Sequence, residues 1–380
     1  MRALALALVL VLAAGCGGSP TQAERPGLQR TLNALVTRPA RIAPGATAFV
    51  SGPKGTWSGA AGWADVTKQV RMTPDARMRL ESVSKLWTAT VVAKLAEEKK
   101  LRLDDTVERW LPGLFPYGNR ITVRELLDHT SGMIDNNDLG RRPAYWLGRI
   151  KDPELRAEAF AAAAALQKDP TTIFPRLLEV RIAAALPLLY EPGTTWHYSN
   201  IAYMTAGLIA EKAGNAPLGD LYKRIIIEPL GLKSVGYYPS GPIAEPHPIG
   251  YNIQRDGYAL PATNYLDGTL QAEGGIVSSA RDEARFLVGL VTGKVVDPAT
   301  FAQIVTGSGP EPGYGLGTVV ETTCAGKTYD HNGGGASWAS SVAVSADGKR
   351  VAVLLLNGQR RYSQASTSYY EAMLKLFCAS

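Results

Sequence analysis

Apolar positions recur with helical spacing over residues 27–36. They alternate over 47–50 and 56–66, two runs separated by Gly52-Pro53 and Gly55. This predicts a short amphipathic helix followed by a two-stranded hairpin. From Val83 onward, Leu86, Trp87, Ala89, Val91, Val92, Leu95 and Ala96 leave almost no polar face, so a helix buried on most sides is expected, ending near Lys99-Lys100. Helical spacing continues over 122–129, 154–167, 173–189, 202–213 and 218–227. Past Tyr314 the period changes to two. Residues 340–345 and 350–356 flank Ala346-Asp347-Gly348-Lys349, a strong hairpin signal. Residues 363–378 then read as a last helix with Tyr370, Met373, Leu374 and Phe377 on one face.

Strands at both ends with helices between them predict an α+β fold: an antiparallel β-sheet built from both termini and flanked by helices, with a mostly helical subdomain inserted. The sheet region is expected at about 27–81 and 280–380 and the helical region at about 82–279, together one catalytic domain over 23–380. There is no internal repeat and no low-complexity linker.

The net charge of +6 over 380 residues is scattered, with no basic run longer than a pair, which argues against nucleic acid as a partner. The amino terminus changes the picture more. Arg2 precedes an apolar run at 4–14 and then Gly15-Cys16-Gly17-Gly18, a secretory pattern too short to span a membrane. A cysteine directly after small residues, followed by the polar stretch 17–22, resembles a bacterial lipoprotein signal, with residues 1–22 as signal and tether and Cys16 as the lipid-bearing residue. Plain secretion with loss of Cys16 is the alternative; either way the protein is expected outside the cytoplasm, in the cell envelope if lipidated. Export permits disulfides, so Cys324 and Cys378 are expected to bridge, with two buried thiols as the alternative.

Candidate chemistry starts at Ser82-Val83-Ser84-Lys85. A serine needs a base within hydrogen-bond reach, and residues three apart on a helix have Cβ atoms about 5–6 Å apart. Burial lowers a lysine pKa and so makes Lys85 a candidate base. Ser51-Gly52-Pro53-Lys54 has the same spacing, but Gly-Pro marks a turn. Tyr198-Ser199-Asn200 closes a turn-rich stretch before a helix. A tyrosine hydroxyl beside an ammonium ion can have its pKa lowered and join a proton relay, and an asparagine amide can orient a substrate amide. Tyr117-Gly118-Asn119 repeats the spacing and is not specific. In His331-Asn332-Gly333-Gly334-Gly335, glycines within a strand point to close approach of a ligand or another backbone. His129 beside Asp128 suggests a Ser/His/Asp triad, but adjacent helical residues point different ways, so a structural role is expected. No Gly-x-Ser-x-Gly is present, His197 and His247 lack metal-ligand partners at suitable spacing, and neither metal nor cofactor is expected. Trp87, Trp196, Tyr314 and Trp338 are read as core aromatics before pocket walls.

Taken in order, these pieces resemble the penicillin-recognising serine hydrolases: the group of class C β-lactamases, soluble D-alanyl-D-alanine carboxypeptidases and related esterases and amidases. The resemblance rests on RLESVSK at 79–85, the Leu-Asp-Asp turn within 101–105, ITVRELLDHTSGM at 121–133, PGTTWHYSNIAY at 192–203, GGIVSSARDEARF at 274–286 and His-Asn-Gly at 331–333. It covers about residues 27–380 and implies acyl-enzyme chemistry without a cofactor, in a protein expected to act as a monomer. Ser82 is implied as nucleophile, Lys85 as its base and Tyr198 as proton shuttle. Asn200 is implied as substrate-orienting, and the main-chain N–H groups of Ser82 and Gly334 as oxyanion hole beside Gly333. His331 stands where β-lactamases carry the lysine of Lys-Thr-Gly, which moves the expected substrate from β-lactams towards D-Ala-D-Ala peptides, amides or esters. A non-catalytic, lipid-tethered protein binding peptidoglycan or D-amino peptides is the alternative from another class. Residues 141–189 are longer than the family usually needs.

Overall fold

A computed structural model describes residues 25–37, 42–172, 175, 177–239, 242–254, 256–264, 271–307, 309, 313–360 and 365–380. The expected signal and tether with Cys16, residues 173, 174 and 176 of the 173–189 segment and the first two of the expected 363–378 helix lie outside the described residues.

The amino-terminal part supplies β1 (Gly45–Gly52), β2 (Gly55–Asp65), β3 (Val70–Arg71) and β4 (Arg77–Arg79). The middle adds four short strands that helical periodicity did not predict: β5 (Gly236–Tyr237), β6 (Tyr251–Ile253), β7 (Ala259–Pro261) and β8 (Ile276–Ser279). The carboxy-terminal part adds β9 (Val319–Thr323), β10 (Gly326–Gly334), β11 (Ala339–Ser345), β12 (Val351–Leu356) and β13 (Gly358–Arg360). Seven of these form one antiparallel sheet in the order β3-β2-β1-β12-β11-β10-β9. The two ends of the chain meet at its centre, where Ala46 pairs with Leu356 and Val50 with Ala352.

Period-two alternation sorts the strand residues into two layers. On β12, Ala352, Leu354 and Leu356 pack under the Pro26–Val36 and Ala365–Ala379 helices, against Leu28, Leu32, Met373 and Phe377. Val351, Val353 and Leu355 face the other way, into a core shared with the Ala280–Val291 helix and the helical region. Both faces are covered, so β12 reads as an unbroken apolar run. On the terminal helix Tyr369, Ala372, Met373, Leu376 and Phe377 are buried, while Tyr370 and Leu374 only flank the interface, one position round from the expected face. Cys324, in the turn between β9 and β10, is bonded to Cys378 in the last turn of that helix, with Cα atoms 5.9 Å apart.

In the helical region the Pro153–Lys168 helix starts on Asp152, whose carboxylate accepts from the N–H groups of Glu154 and Leu155. The expected 173–189 helix is shorter, Leu178–Ala184, with Pro175 before it and Pro187 after. The helix after Ser82 runs Ser84–Glu97, and Lys99 at φ +59 ends the run before Lys99-Lys100. No helix among the described residues is long and apolar enough to cross a membrane.

Candidate active site

Ser82 sits in an elbow between strand and helix. β4 pairs with β8, Leu80 N–H donates to Ile276 O at 2.9 Å, and Glu81 then turns through φ +52. A non-glycine residue in this left-handed region stores strain that its surroundings must hold. Ser82 lies in the 3-10 turn Glu81–Val83 and Lys85 in the first turn of the Ser84–Glu97 helix, so the pair spans a junction instead of sharing one α-helical run. The elbow is pinned from both sides: Ser84 Oγ accepts Ile276 N–H at 3.1 Å, and Ser340 Oγ–H donates to Leu80 O at 2.5 Å.

Ser82 Oγ accepts the Tyr198 hydroxyl at 2.7 Å and lies 3.2 Å from Lys85 Nζ. Lys85 is fully buried, and its amine also reaches Asn200 Oδ1 at 2.6 Å and the main-chain oxygen of Glu273 at 3.2 Å. Burial lowers its pKa to about 8, against the opposing pull of Glu273, Asp135 and Glu81. The ammonium form gives its three N–H groups to Asn200, Glu273 and Ser82; on deprotonation the first two keep theirs and the lone pair faces Ser82 Oγ. Tyr198 is pushed the other way from the lowering expected beside an ammonium ion: burial holds its hydroxyl well above the usual phenol range. It therefore stays a donor to Ser82 Oγ. The Glu273 carboxyl, raised to about 7 by burial, completes a ring of acids around the lysine.

Asn200 opens the Asn200–Gly214 helix, whose cap is Ser199 Oγ accepting from Ala202 N–H at 3.1 Å. Asn200 Nδ2 donates to Asn136 Oδ1 at 3.1 Å, and Asn136 Nδ2 donates to Glu179 Oε2 at 3.4 Å. Lys85 offers only donors when charged, so it fixes which end of each amide faces which neighbour. Glu179, pushed up to about 8 by burial, ends the line on the Leu178–Ala184 helix.

β10 passes beside the elbow. A Cβ on Gly333 would collide with Leu80 O, and one on Gly335 with the Glu81 carboxylate, so the close approach that these glycines permit is to the elbow itself. Gly334 lies between them at the end of β10. His331, three residues before Gly334, is buried; its Nδ1 donates to Asn332 O at 2.7 Å and its Nε2 lies 3.1 Å from the Tyr314 hydroxyl. Burial, helped by Lys85, lowers its pKa to about 4, so the ring is neutral. His129 spends Nε2 on Tyr314 and Nδ1 on Ser199 N–H, leaving neither for Ser82, which removes a Ser/His/Asp triad.

The competing motifs have ordinary explanations. Ser51 pairs with Thr56 across the β1–β2 hairpin while Lys54 donates to Ala379 O, and the Tyr117 hydroxyl donates to Ala183 O. Trp87 stacks on Phe286 in the core and Trp338 is buried, but Trp196 and Tyr314 gather around His129. Sequence reasoning missed Asn136, Glu179 and Glu273. Asn136 and Glu273 stand within three residues of the ITVRELLDHTSGM and GGIVSS signatures, a proximity that offered a signal; Glu179 offered none.

A sequence model described as beta-lactamase matches residues 28–374. Penicillin-binding protein 4* of Bacillus subtilis is 28% identical over 331 residues, covering 83% of this chain and 67% of that protein. Esterase EstB of Burkholderia gladioli is 27% identical over 311 residues, covering 72% of this chain and 74% of its own. Among solved structures, a D-stereospecific amidohydrolase from Streptomyces sp. superposes with a TM-score of 0.75 at 27% identity, over 94% of this chain and 100% of that one. Fold, site geometry and these likenesses agree: the chain belongs to the beta-lactamase family and is a serine hydrolase.

Proposed function

We propose that the protein is an exported acyl-transfer hydrolase in which Ser82 attacks the carbonyl of a small amide or ester and water releases the acyl group. The observation that carries this reading is the double engagement of Ser82 Oγ, 2.7 Å from the Tyr198 hydroxyl and 3.2 Å from Lys85 Nζ. As Oγ closes on the carbonyl carbon, neutral Lys85 takes its proton. Tyr198 hands its own proton to the leaving group and recovers one from Lys85, and deacylation repeats the sequence with water in place of the leaving group. The main-chain N–H groups of Ser82 and Gly334 receive the developing oxyanion, where one such donor is worth about 3–4 kcal/mol. Asn200, engaged at both ends of its amide, holds Lys85 before it orients any substrate amide.

D-amino peptides, amides and esters are favoured over β-lactams as substrates. The neutral His331 places no fixed charge where β-lactamases carry a lysine, and relatives named as an esterase and a D-stereospecific amidohydrolase support the choice. The apolar run at 4–14 and the Cys324–Cys378 bond support export, with Cys16 as a lipid anchor in the cell envelope; radiolabelled palmitate should enter the wild type and not Cys16→Ser.

Intact-mass measurement with excess penicillin or a p-nitrophenyl ester, beside Ser82→Ala, tests the chemistry. A covalent adduct on the wild type alone is expected; no adduct, or equal labelling of the variant, overturns the reading and favours a binding protein. Turnover of a chromogenic cephalosporin, a D-Ala-D-Ala peptide and a p-nitrophenyl ester then ranks the substrates.

A further inference from the structure

A line of three side chains joins the strand carrying Gly334 to the loop carrying Tyr198, and Tyr314 is its middle member. The Tyr314 hydroxyl lies 3.2 Å from His129 Nε2 and 3.1 Å from His331 Nε2. The far nitrogens decide where the protons sit. His129 Nδ1 accepts the main-chain N–H of Ser199 at 3.1 Å, so that nitrogen is bare and Nε2 of the neutral ring carries the proton. His331 Nδ1 faces the carbonyl oxygen of Asn332 at 2.7 Å, which can only accept, so there Nδ1 carries the proton and Nε2 is bare. A hydroxyl fits between them because it accepts from one side and donates to the other. Both rings are almost fully out of solvent, at 0% and 5% exposure, and burial keeps both neutral.

His129 in turn holds Tyr198 from both sides in sequence. Its carbonyl oxygen accepts His197 N–H at 2.9 Å, its Nδ1 accepts Ser199 N–H, and its ring lies 4.3 Å from the Tyr198 ring. Its own φ of +65, uncommon for a residue with a Cβ, persists only because these contacts fix it.

We propose that Tyr314 is a positioning residue for acyl transfer at Ser82: its hydroxyl bridges the protonated Nε2 of His129 and the bare Nε2 of His331, two rings whose opposite tautomers the main chain sets, and so fixes the pose of Tyr198 against Ser82 and the Gly334 strand. This rests on the function proposed above. It also assigns His331 a role within the protein, because both of its ring nitrogens are spent and none is left for substrate.

The test combines nitrogen-15 NMR of the histidine rings with the acylation rate of Ser82 by a p-nitrophenyl ester, on wild type and Tyr314→Phe. The variant keeps the ring that packs against His129 and Trp196 and loses only the hydroxyl. The wild type should show one ring protonated on Nε2 and the other on Nδ1. In Tyr314→Phe the Nε2 resonances of both rings should move as their hydrogen bonds are lost, and acylation should slow about tenfold with KM changed less than about twofold, the size of one lost hydrogen bond. Wild-type rings sharing one tautomer overturn the proposal even if the variant does not fold. So does a folded variant that acylates at the wild-type rate, or one that slows with the Nε2 resonances of both rings unmoved. A wild type never acylated at Ser82 overturns the functional reading, and this proposal with it.

Discussion

Lys85 Nζ lies closer to Asn200 Oδ1, at 2.6 Å, than to Ser82 Oγ, at 3.2 Å. The base is therefore held by an amide that is itself held, through Asn136, from the Leu178–Ala184 helix. Asn200→Ala should lower kcat about a hundredfold with a smaller change in KM, because Lys85 loses the acceptor that aims its lone pair. Asn200→Asp should instead raise the Lys85 pKa, since a new carboxylate favours the ammonium form, and shift the acid limb of the pH–rate profile upward.

The wild-type pH dependence follows from the same lysine. Its pKa is lowered from the ordinary lysine value to about 8, and the proposed mechanism makes the neutral form the active one. Acylation of Ser82 should rise with pH and level off above about pH 8; a rate that falls over pH 6–8 would contradict Lys85 as the base.

Removing one line partner tests the reach of the helical region. Asn136→Ala leaves Asn200 Nδ2 without its acceptor, and about a tenfold loss of kcat is expected at unchanged global stability, measured by thermal unfolding beside steady-state kinetics.

Tyr198→Phe removes the donor to Ser82 Oγ and the path to the leaving group. Amide turnover should fall by about 10²–10⁴, the usual contribution of a positioned acid–base group, while an activated ester with a good leaving group should lose less. Equal losses on both substrates would argue against proton delivery by Tyr198.

The Cys324–Cys378 bond closes a loop with a sequence separation of 54, which in the chain-entropy account is worth about 4 kcal/mol. Cys324→Ser with Cys378→Ser should lower Tm while leaving kcat close to wild type, because the bond ties the far turn of β10 to the terminal helix and not the end at Gly334.

What the sequence made legible were features with short-range causes. The Asp347-Gly348 turn, the apolar run of the Ser84–Glu97 helix and the presence of strands towards both ends of the chain follow from local periodicity and turn chemistry. Ser82, Lys85 and Tyr198 were legible through their signatures, and the structure brings the three together. The rest depended on long-range packing. Nothing local marks Glu179 as the end of a line that begins at Lys85, and nothing near Tyr314 in sequence marks it as lying between His129 and His331. The Tyr198 pKa goes opposite to the expected direction because the turn-rich stretch around it carries no apolar run of the kind that marks Lys85 as buried, so its desolvation has no local sign. The strands β5 to β8 are too short to show a period of their own; β5, β6 and β8 have partners far along the chain, and β7 pairs with β6 alone.

The central place of β12 also has a kinetic side. β1 finds one neighbour at once in β2, but its other neighbour comes at the end of the chain, where Gly45 and Asn357 bond across 312 residues. So long-range a pairing should make sheet closure the slow step of folding, waiting for the last part of the chain. Until then β1 is an open edge able to recruit the wrong strand, and a chain stalled or truncated before β12 should aggregate instead of forming a smaller native unit.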